Sequence, residues 1–352
     1  MLRLLRAKET GPYFRALLWV AGFSLLHVTI LYLTSQMLLD SGHIVLDKYL
    51  DLSFIIYNLL FIGFLYFYPV YVMIFIRPAR LLKRIGHGYY RHLLSAERVV
   101  FSFTALLLIP VAQSAYSSFK SQIPHINYFS FDEFLHKLDL SLLANVEAWR
   151  VLHPVVWHPW MTIALDKLYH PVWFSLLTAM LLWHALGWHS LKTRVQFFVS
   201  YIVVWGVLGN LGALMMSSAG PCYFDRVTSM PNPYNPLFEY LQSVNLQSSL
   251  ASLEIQDKLW SGYINNVFDY GGGISAMPSL HVATTTLFAL SAWKVSPRIG
   301  GVLFLYTIII FIGSIHLGWH YAVDGLFSIP ATWLIWHCVG KALAHDKILA
   351  PL

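Results

Sequence analysis

A chain of 352 residues with 57% hydrophobic and only 11% charged side chains lies outside the range of soluble domains, which carry roughly 25% charged residues. The mean hydropathy of +0.59 comes from long apolar runs. The formal charge of +6 falls on short loops between those runs, a pattern of membrane topology and not of nucleic-acid binding.

A helix needs about 20 apolar residues to cross the hydrocarbon core. Eight stretches meet that rule, at roughly 15–39, 52–76, 99–118, 171–187, 195–217, 277–293, 299–318 and 321–340. The first follows Arg3, Arg6, Lys8 and Arg15 and lacks a small-residue cleavage motif, so it reads as a retained anchor. Sixteen of the 23 lysines and arginines fall in the N-terminal segment, the 77–98 loop, two short turns and the C-terminal segment. The other seven (Lys48, Lys120, Lys137, Arg150, Lys167, Arg226, Lys258) occupy the longer segments of the opposite side. This asymmetry predicts cytoplasmic termini, with the 77–98 loop read as a topology determinant. The expected fold is an all-α polytopic membrane protein. Residues 1–98 hold two spans and a basic loop, and residues 99–352 form a six-helix core with an outer amphipathic segment (119–170) and an outer loop (218–276). Cys222 and Cys338 fall near opposite ends of this topology, so no disulfide is expected.

Between 131 and 152 the apolar residues 131, 134, 135, 138, 142, 146, 149 and 152 line one helical face, with Asp132, Glu133, Lys137, Asp139, Glu147 and Arg150 elsewhere. Pro154 and Pro159 break this helix before a second one near 161–169. The pair reads as amphipathic helices on the outer membrane surface, either a gate for lipid entry or a passive shelf. In the fifth span Gly206, Gly209 and Gly212 allow close helix packing, and Asn210 offers an interhelical hydrogen bond. His27, His184 and His337 have no acidic partner at helical spacing and read as packing residues. The outer loop carries a helical patch near 239–259 and ends in Gly271-Gly272-Gly273, a run that suits either close approach to an anion or loop mobility.

Two motifs carry the chemistry: Ala276-Met277-Pro278-Ser279-Leu280-His281 and His320-Tyr321-Ala322-Val323-Asp324. The apolar run between them spans one bilayer and returns both histidines to the same face. His320 and Asp324, four apart, share a helix face. The carboxylate there accepts a ring N–H and leaves the other nitrogen for attack. His281 is placed to donate a proton to a leaving oxygen. Ser279 and the start of the sixth span offer a phosphoryl-oxygen site. Gly273, His316 and Tyr321 join Ser279 as substrate-binding candidates. His316, His320 and Asp324 at four-residue steps form an alternative metal set, but no further carboxylate or cysteine clusters nearby, and neither metal nor other cofactor is expected.

Residues 276–281 and 320–324 resemble the second and third signatures of the type 2 phosphatidic acid phosphatase superfamily. Met277–His281 with His320-Tyr321, Val323 and Asp324 is similar to the inositol phosphorylceramide synthase branch, and the histidine–aspartate spacing is similar to that of sphingomyelin synthases. Leu138-Asp139-Leu140 and the helix ending at Tyr169 resemble outer helices of that branch. The resemblance implies His320 as nucleophile, Asp324 as its orienting partner, His281 as acid–base group and Ser279 as phosphate ligand. The superfamily's first signature, lysine with six residues before Arg-Pro, is absent, and Arg77-Pro78 lies on the wrong face. Gly220–Arg226 takes its place, with Arg226 as either the replacement cation or a solvated loop arginine. Ser314 stands where an arginine is expected before the nucleophile. Fewer cations suit a phosphodiester donor. The implied activity moves a phosphorylated headgroup, inositol phosphate in its sharpest form, from a phospholipid to a lipid alcohol through a phosphohistidine outside the cytoplasm. The alternatives are a lipid or polyprenyl (di)phosphate phosphatase using water, and a lipid transporter or binding scaffold.

Overall fold

The computed structural model describes residues 2–39, 44–93, 96–187, 189–267 and 270–349, and among these the only regular elements are helices. In order they are α1 (Leu2–Leu38), α2 (Leu50–Tyr71, widened at Val72–Ile76), α3 (Leu81–Leu93), α4 (Ala96–Ile126), α5 (Asp132–Leu142), α6 (Ala148–Val156) and α7 (Pro159–Lys167). A wide turn at Leu168–Val172 joins α7 to α8 (Trp173–Leu186). Next come α9 (Leu191–Val203), prolonged through Val204–Gly212 into α10 (Ala213–Met215), then α11 (Phe224–Val227), α12 (Asn235–Asn245), α13 (Ala251–Ile264), α14 (Leu280–Val295), α15 (Pro297–His316) and α16 (Ala322–His345).

Among the described residues, six helical stretches are long and apolar enough to cross a membrane: Gly11–Leu38, Leu50–Ile76, Ala96–Ile126, Leu191–Met215, Pro297–His316 and Ala322–His345. The other two expected spans exist as helices but are short, 14 residues in α8 and 16 in α14. Helix α14 is buried along most of its length and packs on α9, α15 and α16. A helix covered on all sides is core, so its hydroxyls must find partners. Thr284, Thr285 and Thr286 do so by bonding back to carbonyls one turn earlier.

The small residues of the fifth span work as their spacing predicts. A Cβ on Gly209 would lie 2.7 Å from Tyr116 of α4 and 2.8 Å from Leu280 of α14. Asn210 donates to the Tyr116 carbonyl at 3.3 Å. Helix α1 packs along α4 and α9, and Arg15 reaches Asp346 at 2.6 Å. At the far end of α8, Arg194 Nε donates to the His184 carbonyl at 2.7 Å and Arg98 Nη2 to the Gly187 carbonyl at 2.7 Å. These arginines, read from the sequence as topological charges, also close the electronegative end of a helix.

The outer segment departs from the sequence reading. The single helix expected over 131–152 splits into α5 and α6, because Ala144 and Asn145 take left-handed φ values of 54° and 63°, and α6 continues through Pro154. The inward face of α5 is also partly polar: Asp132, Leu135, His136 and Asp139 are buried together.

Asp139 Oδ2 accepts the Ala322 N–H at 2.6 Å and its Oδ1 the Val323 N–H at 2.8 Å. Asp166 of α7 accepts the N–H groups of Ala251 and Ser252, both at 2.9 Å. The first N–H groups of a helix have no intrahelical acceptor, and a carboxylate there also meets the positive end of the dipole. Thus α16 and α13 are each capped by an aspartate distant in sequence. Asp139→Ala strands two buried N–H groups, and loss of two charge-assisted bonds costs about 2–4 kcal/mol. Asp139→Asn, which keeps one acceptor oxygen, recovers part of that loss. Thermal unfolding of the two variants in detergent checks this; equal midpoints for Asp139→Ala and wild type would refute the cap.

Candidate active site

Three loops meet where α4 and α15 end and α14 and α16 begin. Residues 217–222 run beside 274–279 through the Ala276 N–H on the Ser218 carbonyl (2.9 Å) and the Met277 N–H on Ser218 Oγ (3.0 Å). They join 317–321 through the Cys222 N–H on the Gly318 carbonyl (3.0 Å). Asp132 locks the junction: it accepts the N–H groups of Ala219 and Gly220 at 2.7 and 2.8 Å, and the Tyr321 hydroxyl at 2.7 Å.

At this junction His320 Nδ1 lies 3.1 Å from Asp324 Oδ2, and the same oxygen accepts the Tyr321 N–H at 3.1 Å. Asp324, in the first turn of α16, therefore both caps its helix and orients the imidazole. Burial drives the His320 pKa down to about 3, reinforced by the Lys120 charge and opposed by a backbone contact with Ala276. The ring is neutral at pH 7. Burial likewise pushes the Asp139 carboxyl up to about 6, against the two N–H groups that pull it down.

His281, in the first turn of α14, is stacked on Tyr169 with ring centroids 4.2 Å apart and a 15° interplanar angle, and leans on Trp173 at 4.2 Å. His281 and His320 line one cavity of about 420 Å³, within the about 300–1,000 Å³ of small-molecule sites. Away from the histidines the cavity becomes an apolar slot. Positions 52, 53, 56 and 57 of α2, 113, 116 and 117 of α4, and 174, 177, 178 and 181 of α8 form its walls, each set lying on one helical face. The polar end and long apolar slot match an amphiphile with a phosphate head.

Of the other residues singled out in sequence, Gly273 lines this cavity. Its φ is +86°, and a Cβ there would sit 2.8 Å from the Lys120 carbonyl carbon and the Ser121 nitrogen. Close approach of loop to helix, and not mobility, explains the residue. Ser279 is fully buried at the N-cap of α14, between cavity-lining Pro278 and Leu280, and its Oγ has no partner among the described residues. Three candidates are displaced. Tyr321 is buried with its hydroxyl committed to Asp132. His316 Nε2 bonds Thr162 Oγ1 at 2.9 Å, outside the cavity lining. Arg226 is exposed and sits over the rings of Tyr223 and Trp260 at 5.8 and 5.0 Å, also outside the lining.

The cation at the site is Lys120, which lines the cavity beside both histidines and acts electrostatically on each. Among the described residues it makes no ion pair. In the sequence it is a lone lysine just past the expected 99–118 span, which is also the signal of a topological charge. Tyr169, His170 and Trp173, which shape the His281 environment, carry no motif at all.

A family model described as the PAP2 superfamily matches residues 133–338. A PA-phosphatase related-family protein of Dictyostelium discoideum is 33% identical over 75 residues, which span 21% of this chain and 14% of that protein. No solved structure matches the chain. The geometry predicts that Lys120→Met lowers kcat/KM by about 10²-fold, the usual loss of one charge-stabilising group, while Arg226→Ala stays near the wild-type rate. Steady-state kinetics on the two variants checks this, and the opposite ranking would return Arg226 to the site.

Proposed function

This chain belongs to the PAP2 superfamily, and from that premise we propose that it is a lipid phosphotransferase working through a phosphohistidine on His320. Phosphatase-type chemistry on lipid phosphate esters comes with the family; the residue roles, the transfer and the side of the membrane are our reading. One observation carries it: a histidine whose Nδ1 is held by a buried carboxylate shares a cavity with a second histidine and with a lysine that makes no ion pair among the described residues.

Asp324 engages Nδ1, so Nε2 is the nucleophilic atom. It attacks the phosphorus of a phospholipid, an N–P bond forms, and the P–O bond to the lipid alcohol breaks. His281 gives its proton to that leaving oxygen. In the second half the neutral His281 removes the proton of an incoming hydroxyl, whose oxygen attacks the phosphorus as the N–P bond breaks. Lys120 balances charge on the phosphoryl oxygens. The Tyr169 and Trp173 rings hold His281 and exclude water around it. One cation at the site matches a singly charged phosphodiester better than a dianionic monoester, which favours headgroup transfer, inositol phosphate included, over monoester hydrolysis. The charge asymmetry of the loops supports an extracytoplasmic site with cytoplasmic termini.

His320→Ala is expected to lower turnover by about 10³-fold or more, and His281→Ala by about 10²–10⁴-fold. Incubation of purified protein with labelled phospholipids and lipid alcohols resolves the acceptor: new phospholipid marks transfer, and free headgroup phosphate alone marks hydrolysis. Turnover persists in chelator. A label on wild-type protein that survives alkali and is lost in acid identifies the N–P bond; full turnover by His320→Ala would sink the mechanism. With the nucleophile held neutral by burial, the acid limb of kcat/KM assigned to His320 falls below pH of about 6.5, its ordinary value. A His320-dependent limb at that value would show that the ring titrates as if exposed.

A further inference from the structure

A second cavity, of about 1060 Å³, adjoins the first, with the 270–274 segment partly dividing them and His170, Trp173 and His281 among the other residues that line both. Its walls come from the end of α4, with Ser121, Gln122 and His125, and from α13, with Lys258, Gly262 and Tyr263. The dividing segment is fixed on both sides: Gly271 donates its N–H to the Tyr49 hydroxyl at 2.7 Å, and Gly273 presses on the Lys120 backbone. His320 and Lys120 line the first cavity alone, whereas His281 lines both.

We propose that this second cavity is the acceptor site and takes a lipid alcohol with a hydrogen-bonding head, while the first holds the phospholipid donor. The inference rests on the transfer reading above and deepens it. A group that protonates the donor's departing oxygen and later deprotonates the acceptor's hydroxyl must be reachable from both substrates. Among the residues given catalytic roles, His281 alone has that placement. The nucleophile and the cation need to meet the donor phosphorus only, and they line only the donor side. Water as acceptor has no use for a chamber at the upper end of small-molecule cavities. Its wall is more polar than that of the first cavity's slot, with Ser121 and Gln122 of α4, both bonded to the Ser118 carbonyl, beside His125 and Lys258, a setting that suits a polar head.

Gly262 lines the second cavity alone, and a Cβ there meets only the Val267 carbonyl oxygen, at 3.3 Å. Gly262→Leu therefore adds bulk to the second chamber. In an assay with labelled phospholipid and lipid alcohol, Gly262→Leu and Ser121→Phe are expected to raise the acceptor KM about tenfold relative to the donor KM, as overpacking of a filled site does. In wild-type protein, a lipid alcohol with a photoreactive chain labels peptides around 258–263. Donor and acceptor KM rising together, or labelling confined to peptides 52–57 and 177–181, which line the first cavity only, overturns the acceptor site while transfer itself stands. A wild-type protein that forms free headgroup phosphate and no new lipid overturns the transfer reading and this site with it. That result is told apart by its products alone.

Discussion

Buried aspartates accepting backbone N–H groups from remote segments hold this site together. Asp132 gathers Ala219, Gly220 and Tyr321, Asp139 takes the first N–H groups of α16, and Asp166 those of α13. A carboxylate in a low-dielectric interior is costly unless its oxygens are filled. Helix N-termini and loop amides are unfilled donors with partial positive charge. Each deficiency satisfies the other, and the result is rigid because both oxygens are used. The loops bearing His281 and His320 are thereby fixed by charge-assisted bonds and not by apolar packing alone.

That rigidity matters because the atoms proposed to react come from the ends of different helices. His320 precedes α16, His281 opens α14, and Lys120 lies near the end of α4. Side chains on three independent helices hold a common geometry only if the helix ends cannot slide. The glycines of the α9 extension bring α4 and α14 close enough for their ends to meet, and Asp139 pins α16 to α5. Asp324 completes the arrangement by serving its own helix cap and the histidine at once.

The apolar slot follows from the same helices. One face each of α2, α4 and α8 contributes to the cavity lining. An amphiphile whose chain fills that slot brings its head to His320 without further guidance. The catalytic junction and the lipid chamber are two ends of one packing defect.

The alternation of apolar runs and basic loops determined the all-α membrane class from sequence, because hydrocarbon tolerates no unpaired backbone and demands spans of a set length. The two histidine motifs stood out because their residue types and spacings suit one chemistry, and the fold brings His281 and His320 to one cavity. Local periodicity also located the glycine face of the α9 extension; of the eight expected spans, α14 proved a 16-residue helix covered by its neighbours, and α8 a 14-residue helix continuous with the wide turn before it. Only the tertiary structure placed Lys120 in the cavity lining and Arg226, His316 and Tyr321 outside it, and turned Asp132 and Asp139 inward. Each of those outcomes depends on what lies across a helix interface. A single chain's periodicity reports which face a residue occupies, and carries nothing about the partner that face will meet.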